Sequence, residues 1–288
     1  MQPSLPFSSD VSRRMADARP FIKWAGGKGR LIEQYKPFLP VDYDCYHEPF
    51  LGGGALFFHL APQLAAQGRK AFLSDLNPEL VNVYRCVKEQ VEPLIEQLAQ
   101  HQEQHQKTYY YTVRSQLETT PVRRAARFIY LNKTCFNGLY RENSKGLFNV
   151  PIGRYKNPKI CAPELLRSAS AALQVADISE RPFDAVTEHA TSDRDFVYFA
   201  PPYHPLSDTS NFTGYSRYQF GEQQQRELKT VIEALSDRNV KVLASNSDCP
   251  FIRDLYQGFK VETISAARSI NSKASKRGKI TEVLLINQ

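Results

Sequence analysis

Short apolar runs of strand length alternate along this chain with segments that have the periodicity of amphipathic helices. The apolar runs predict six strands, at residues 46–48, 71–74, 173–176, 196–199, 240–245 and 283–286. Helical patterns lie between them, near residues 28–38, 55–66 and 223–235. Strands that alternate with helices are typical of an α/β sheet.

One long region interrupts this alternation. From about residue 80 to residue 161 the pattern is helical, rich in Tyr and Arg, and contains no convincing strand. Its last stretch, residues 132–158, is rich in Asn, Gly, Lys and Arg and is typical of a loop that contacts a ligand. We therefore expect a sheet domain made of residues 19–79 and 162–288, a helical inserted domain at 80–161, and a loose tail at 1–18.

The composition supports a folded core and narrows the possible partners. Apolar residues make up 42% of the 288 residues, and no apolar run approaches the length of a membrane span. The N-terminus is polar and lacks the apolar core of a signal peptide. The five cysteines are scattered without a CxxC pair, so we expect no disulfide, no metal site and a reducing cytoplasm. A net charge of +7 favours a polyanionic partner, although many basic proteins bind no nucleic acid.

The first of two glycine-rich segments, residues 23–28, is not a phosphate-binding P-loop. That motif requires Gly where Ile22 stands, and Ser or Thr where Gly29 stands.

The second segment, residues 48–55, follows a predicted strand and opens a helix. Glycines at such a turn allow the backbone to approach a ligand closely. Phe57 replaces the third glycine of the dinucleotide motif, and Asp75 stands at the distance suited to a hydrogen bond with ribose. The unit therefore indicates a nucleoside cofactor without a pyrophosphate, a description that S-adenosylmethionine fits. The alternative is a plain tight turn with a surface Asp.

A further candidate lies where the apolar strand at 196–199 runs into Ala200, Pro201, Pro202 and Tyr203. The prolines stiffen the loop and leave carbonyl groups that only accept hydrogen bonds. Ligands of α/β sheets bind at such carboxyl ends of strands. A rigid exit from the sheet, with Tyr203 packed on the core, explains the same residues equally well.

Taken together, these residues resemble the amino-methyltransferases, whose signature is Asp-Pro-Pro-Tyr, and in particular the Dam-like DNA adenine methyltransferases of the α group and D12 class. The segments that carry the resemblance are at 21–28, 48–57, 73–78, 130–155, 197–215 and 268–285, and they extend over nearly the whole chain. Among them are Phe-Asn-Gly-Leu-Tyr-Arg at 136–141 and Ser-Asn-Phe-Thr at 210–213. The resemblance implies a Rossmann-like methyltransferase sheet with an inserted, mostly helical target-recognition domain.

The resemblance also implies roles for individual residues. The residues expected to hold S-adenosylmethionine are Trp24, Lys28, Phe50, Gly52, Asp75, Asp177, Ile178 and Ala200. Those expected to contact double-stranded DNA, with GATC as the target, are Lys23, Phe136, Asn137, Leu139, Arg141, Pro151, Asn211 and Arg268. The catalytic set is Ala200, Pro201, Pro202 and Tyr203, no metal is implied, and we expect a monomer.

Some of the DNA-binding roles have plain structural alternatives. Arg141 can bond the two major-groove acceptors of guanine, or it can be a solvated loop charge. Phe136 can fill the space left by an extruded base, or it can be a core aromatic. A basic cluster follows near the C-terminus and either tracks phosphates or is a solvated loop; it comprises Lys273, Lys276, Arg277 and Lys279.

The chain departs from the family signature at one position, because Ala200 stands where the family has Asp. In the family, that carboxylate and a proline carbonyl accept the amine hydrogens of a flipped adenine, which Tyr203 stacks on. We therefore expect cofactor and DNA binding with poor turnover, and favour an inactivating change in an otherwise intact enzyme. A natural DNA reader without catalysis, and an RNA methyltransferase, are the competing hypotheses.

Overall fold

A central sheet of seven strands organises the protein, in the order β3-β2-β1-β4-β5-β7-β6. The structure is a computed structural model, and it describes residues 14–205, 220–267 and 279–287. The strands are β1 Cys45–Glu48, β2 Lys70–Asp75, β3 Ala176–Glu180, β4 Asp195–Phe199, β5 Lys241–Ser247, β6 Lys260–Ala267 and β7 Lys279–Ile286.

Helices occupy most of the chain between these strands. They are α1 Ile32–Tyr35, α2 Ala55–Ala66, α3 Pro78–Glu89, α4 Val91–Glu103, α5 Lys107–Ser115, α6 Pro121–Thr134, α7 Pro163–Leu173, α8 Glu222–Ser236 and α9 Pro250–Leu255. Short 3-10 turns lie at Lys36–Phe38, Phe136–Gly138 and Phe183–Glu188. The expected α/β class is confirmed.

The chain divides into two compact units. Unit 1 consists of Met1–Gly29, Gly52–Ala71 and Asp75–Glu180, and unit 2 of Arg30–Leu51, Phe72–Ser74 and Arg181–Gln288.

Unit 1 is built mainly from helices. Helix α3 begins sharply, because the Asn77 side-chain oxygen accepts hydrogen bonds from the N–H groups of Glu79 and Leu80, and Pro78 suits the first helical position. Helices α3 and α6 pack together. The helical character expected for 80–161 is confirmed by α3 to α6. The domain boundaries at 80 and 161 stay a prediction.

Unit 2 contains β1 and β4, the two neighbouring strands from which the chain order runs across the sheet in opposite directions. Strand β4 is parallel to both β1 and β5, with His47 opposite Val197 and Phe199 opposite Ala244. All five β4 residues are buried, and the core of the unit includes Leu228 and Ile232 of α8. Strands β2 and β3 lie beyond β1 on one side of this pair, and β5 lies beyond β4 on the other. The carboxyl ends of β1 and β4 therefore form a topological switch point, where α/β sheets bind ligands.

Most predicted elements are present, but two need correction. The strand predicted at 173–176 is wrong, since Leu173 ends helix α7 and β3 begins at Ala176. The helix predicted at 28–38 is shortened to Ile32–Tyr35, followed by a 3-10 turn that contains Pro37, a residue poorly suited to a helix interior. Strand β6 and helices α7 and α9 were not predicted. Among the described residues, no helix is long and apolar enough to cross a membrane.

Candidate functional site

Gly52 of unit 1 forms a tight turn against the indole of Trp24. Its φ of +48° lies in the left-handed region that favours glycine. A Cβ atom on Gly52 would lie 2.8 Å from Cδ1 and 3.1 Å from Nε1 of Trp24. The neighbouring Gly53 differs, because a Cβ there would lie 3.6 Å from Cβ of Trp24, an ordinary contact. Both conformation and space therefore require glycine at position 52.

Asp75 fastens the same turn through its carboxylate. Its Oδ2 accepts a hydrogen bond from the Gly52 N–H at 3.1 Å, and its Oδ1 accepts one from the Asn77 N–H at 3.0 Å. Burial raises the pKa of the Asp75 carboxyl, although the hydrogen bonds from Asn77 and Gly52 act in the opposite direction. The Tyr84 hydroxyl donates to the Gly52 carbonyl at 3.0 Å. Asp75 is thus part of the turn and is not an isolated surface residue.

Trp24, which packs on this turn, is half-buried, and Lys28, four residues further along the chain, is buried. The Trp24 ring packs on Phe128 with centroids 6.2 Å apart, and on Tyr140 with centroids 5.7 Å apart. Lys28 is only 7% exposed in spite of its charge. An aromatic wall, a backbone turn and a carboxylate are therefore assembled within unit 1.

The two remaining cofactor candidates of unit 1 lie side by side on β3. Asp177 is exposed, whereas Ile178 is buried. The Ile178 carbonyl accepts two hydrogen bonds from the Arg85 guanidinium, at 3.0 and 2.8 Å. The position of Ile178 is therefore fixed from helix α3.

Lys23 is held in place by Asn132, a residue that the sequence did not single out for a role. The Asn132 side chain accepts from the Lys23 N–H at 2.8 Å and donates to the Lys23 carbonyl at 2.7 Å. The Lys23 ammonium donates to the Tyr155 hydroxyl at 3.0 Å, and its Nζ lies 4.1 Å from the centre of that ring. A Cβ on Gly138 would lie 2.5 Å from Cδ of Lys23. These contacts bring Lys23 next to the loop that follows α6.

The Phe136 side chain projects from that loop. It is 48% exposed, so the alternative of a core aromatic is wrong. Its backbone N–H donates to the Pro151 carbonyl at 2.9 Å, and Pro151 is an exposed residue. Asn137 and Gly138 both have positive φ, +55° and +64°, a conformation that few residues besides Gly and Asn adopt. The Asn-Gly pair thus makes the sharp turn that presents Phe136.

Arg141 is fixed by a neighbouring asparagine on the same loop. Its Nε donates to Oδ1 of Asn149 at 2.6 Å, and its Nη2 donates to the Asn149 carbonyl at 3.3 Å. Arg141 and Leu139 are both half-buried. Arg141 is therefore an oriented side chain and not a freely solvated charge.

In unit 2, residues 200–203 leave the end of β4 as an extended loop without helix or strand. Ala200 is half-buried, Pro201 is buried and Pro202 is exposed. The Tyr203 hydroxyl donates to Oε2 of Glu282 on β7 at 2.6 Å. Burial raises the pKa of Tyr203 far above its ordinary value, so the phenol is neutral and is a donor.

Phe50, at the end of β1, belongs to an aromatic cluster of unit 2. Its ring centroid lies 5.3 Å from that of Phe183, 6.3 Å from that of Phe199 and 5.5 Å from that of Phe220. Packing of this kind contributes to stability whatever else Phe50 contacts.

The amino-acid sequence also matches known proteins over most of its length. Residues 24–270 match the family described as D12 class N6 adenine-specific DNA methyltransferase. The chain belongs to that family. It is 44% identical over 285 residues to the Type II methyltransferase M1.LlaDCHI of Lactococcus lactis subsp. cremoris, with 96% of this chain and 98% of the relative covered.

Two further methyltransferases are similar to this chain over nearly their whole length. The Type II methyltransferase M.MjaIII of Methanocaldococcus jannaschii is 40% identical, with 94% of this chain and 99% of the relative covered. The DNA adenine methylase of Escherichia coli K12 is 36% identical, with 94% and 96% covered. The fold is accordingly a Rossmann-like methyltransferase sheet, and the family membership makes the chain a methyltransferase that has DNA as its substrate.

Some residues assigned from the sequence cannot be placed. Asn211, Arg268 and the cluster of Lys273, Lys276 and Arg277 lie outside the described residues, as does the side chain of Lys279. In this methyltransferase, Trp24, Lys28, Gly52 and Asp75 lie in unit 1, as do Asp177, Ile178 and the DNA-binding candidates at 23 and 136–151. Phe50 and the loop from Ala200 to Tyr203 lie in unit 2, and the loop is at the switch point.

Sequence reasoning missed two buried amides that support the loop of the methyltransferase. Gln225 on α8 is fully buried and donates from Nε2 to the Pro202 carbonyl at 3.1 Å. Asn246 on β5 is 1% exposed and donates from Nδ2 to Oε1 of Gln225 at 2.9 Å. In the sequence, Gln225 ends a run of three glutamines in an amphipathic helix, and nothing local distinguishes it from a solvated residue.

Proposed function

We propose that this chain is a site-specific DNA methyltransferase that transfers a methyl group from S-adenosylmethionine to the exocyclic amine of adenine in duplex GATC. We further propose that the chain as written turns over slowly because of Ala200. The observation that carries the proposal is the fixed loop at the end of β4, in which the Pro202 carbonyl and the Tyr203 hydroxyl are both held by buried partners. It supports a reaction that depends on positioning one base.

The residues of unit 1 fit the cofactor. The turn at Gly52 has no space for a side chain beside Trp24, so backbone and indole can lie directly against a flat nucleoside. The Asp75 carboxylate, anchored on the Gly52 N–H, suits ribose hydroxyl groups. We assign Trp24, Lys28, Gly52 and Asp75 to this role. We assign Asp177 and Ile178 on β3 to the same role.

When bound, S-adenosylmethionine supplies an electrophilic methyl group on a sulfonium centre. The residues of this chain have the task of orienting the adenine amine, a poor nucleophile whose lone pair is delocalised into the ring. The Pro202 carbonyl already accepts a hydrogen bond from Gln225, and we assign the neighbouring Pro201 carbonyl to accept one amine hydrogen. Tyr203 stacks on the extruded base, a step that enzymes acting on bases require.

A carboxylate at position 200 would accept the second amine hydrogen and balance the charge that develops. The methyl group of Ala200 does neither. Losing one such electrostatic contact at a reacting centre lowers rates by about 10²- to 10³-fold, which is the deficit we expect here.

The loop that follows α6 supports contact with duplex DNA. Phe136 is exposed on a rigid turn, which suits a wedge that fills the stack after a base leaves. Arg141 is oriented by Asn149, as a guanine-reading side chain requires. Lys23, Asn137, Leu139 and Pro151 lie on or beside the same loop, and we assign them to base or phosphate contacts. Asn211 and Arg268 keep this role as a prediction.

Ala200 favours one other function, that of a DNA reader without catalysis on the same fold. Such a protein would bind S-adenosylmethionine and DNA and would gain nothing from a restored carboxylate. The two functions therefore differ in their response to a single substitution.

The test compares Ala200→Asp with the chain as written, using single-turnover transfer of labelled methyl to a GATC duplex and to a scrambled duplex. We expect Ala200→Asp to raise the rate by about 10²- to 10³-fold on GATC alone. Transfer from neither form, with cofactor and DNA binding intact, would leave the reader as the function. Equal transfer to both duplexes would refute the GATC assignment.

A further inference from the structure

Two buried amide side chains connect the backbone groups on either side of Tyr203. Gln225 Nε2 donates to the Pro202 carbonyl at 3.1 Å, and Oε1 of the same side chain accepts from Asn246 Nδ2 at 2.9 Å. The Asn246 Oδ1 in turn accepts from the His204 N–H at 3.4 Å and from the Ser247 N–H at 2.9 Å. Gln225 and Asn246 thus form a hydrogen-bonded relay, which begins at the carbonyl just before Tyr203 and ends at the amide just after it.

The two prolines of the loop explain why the Pro202 carbonyl depends on a side-chain donor. Proline residues have no N–H, so the loop cannot pair its own backbone as a strand does, and it needs a donor from elsewhere for the Pro202 carbonyl. A Gln side chain has both a donor and an acceptor, and so does Asn. Gln225 and Asn246 are 0% and 1% exposed, so water does not compete for these bonds and each broken link leaves a buried polar group unpaired.

The tip of Tyr203 is fixed independently. Its hydroxyl donates to Glu282 on β7, a residue that is 8% exposed. Tyr203 is thus fixed from three elements. Helix α8 bonds to the carbonyl before it, β5 to the amide after it, and β7 to its hydroxyl. All three contacts lie in unit 2.

We propose that Gln225 and Asn246 are positioning residues of the methyltransferase, which set the backbone on both sides of Tyr203 so that its ring receives the extruded adenine. This proposal rests on the proposed function for the role of Tyr203. It assigns to Gln225 no contact with substrate or cofactor. The effect of Gln225 on catalysis passes through Tyr203 and the Pro202 carbonyl.

The test uses Gln225→Met, which keeps the length of the side chain and removes both hydrogen bonds. The matched control is Gln223→Met on the same helix turn, where the side chain is exposed and bonds to Glu227. Both are made in Ala200→Asp, so that methyl transfer is measurable. We expect Gln225→Met to lower the single-turnover rate by about 10- to 100-fold, with duplex affinity changed less than about threefold. The control should match its parent.

A double-mutant cycle separates positioning from general destabilisation. In a Tyr203→Ala background, Gln225→Met should lower the rate by less than about threefold further, because residues that act as one unit are not additive. Independent, multiplicative losses would overturn the proposal. If Gln225→Met does not fold, Asn246→Ala breaks the same relay from β5 and takes its place in the cycle.

A measurement without substrate distinguishes failure of this proposal from failure of the proposed function. Hydrogen exchange at the Tyr203 and His204 amides should be at least about tenfold faster in Gln225→Met than in Gln223→Met. Unchanged exchange overturns the relay even if Ala200→Asp transfers methyl. Faster exchange in a protein whose Ala200→Asp form transfers none would support the relay and reject the enzyme.

Discussion

Gly52→Ala tests whether the turn beside Trp24 is built for a ligand. The new Cβ would lie 2.8 Å from Trp24 Cδ1, closer than real contacts allow, so the indole must move. Alanine in the left-handed region costs about 1–2 kcal/mol. Overpacking against the ring adds about 1–3 kcal/mol. The free energy of unfolding should therefore fall by about 2–5 kcal/mol, which a domain of ordinary stability survives.

Trp24 is the one tryptophan of the chain and reports on this change directly. Its fluorescence emission should shift in the folded Gly52→Ala protein, because the ring leaves its packing on Phe128 and Tyr140. Urea unfolding followed by the same emission gives the stability loss. Titration calorimetry with S-adenosylmethionine should show affinity lowered by about tenfold or more, the equivalent of 1.4 kcal/mol.

Gly53→Ala is the matched control, since its Cβ meets only ordinary contacts 3.6 and 4.0 Å away. It should change stability by less than about 1 kcal/mol and leave Trp24 emission alone. Equal stability, emission and cofactor affinity in the two variants would refute the reasoning about the turn. A loss of stability without a loss of cofactor affinity would leave the turn structural and remove Gly52 from the cofactor site.

Two further predictions concern unit 1. Phe136→Ala should change the urea midpoint little, because the ring is half in solvent, but it should lower the rate of methyl transfer in the Ala200→Asp background at least about tenfold. The control is Leu117→Ala, at another exposed apolar residue, which should change neither the midpoint nor the rate. Equal effects of the two substitutions on methyl transfer would contradict the role of Phe136 as a wedge. Burial lowers the pKa of His101 from 6.5 to about 4, so protons bind the unfolded chain first and stability is lost as pH falls from 6.5 towards 4. The slope should reach at most about 1.4 kcal/mol per pH unit, reduced by the partial exposure of the ring. Urea midpoints at several pH values measure it, and the same acid slope in His101→Gln would contradict the assignment.

The sequence predicted most clearly the strand with the densest apolar run. Phe-Val-Tyr-Phe at 196–199 is buried on both faces, as a central parallel strand must be. Strand β6, by contrast, reads Lys-Val-Glu-Thr-Ile-Ser-Ala-Ala and resembles a polar connection. It is a strand because β7 pairs with it along eight residues, a long-range contact that the local pattern does not contain.

The candidate site could be predicted from the sequence where its residues lie in short motifs, and not where their placement depends on packing. Gly52, Asp75 and the loop at Ala200 stand next to recognisable strand ends. Gln225 has ordinary helical surroundings in the sequence, and only the fold shows that it supports the Pro202 carbonyl. Asn132 lies in a segment that carries the family resemblance, but its contact with Lys23 is likewise shown only by the fold.

The position of β7 has a consequence for how the protein is made. β7 follows β5 and β6 in the chain but lies between them, antiparallel to both. A nascent chain that has emerged only as far as residue 267 therefore lacks the partner of β5, and the unpaired edge of β5 invites association with other chains. Until Glu282 arrives on β7, the Tyr203 hydroxyl also lacks its acceptor. The sheet and the Tyr203 contact are thus completed together, and a product truncated before β7 would have neither.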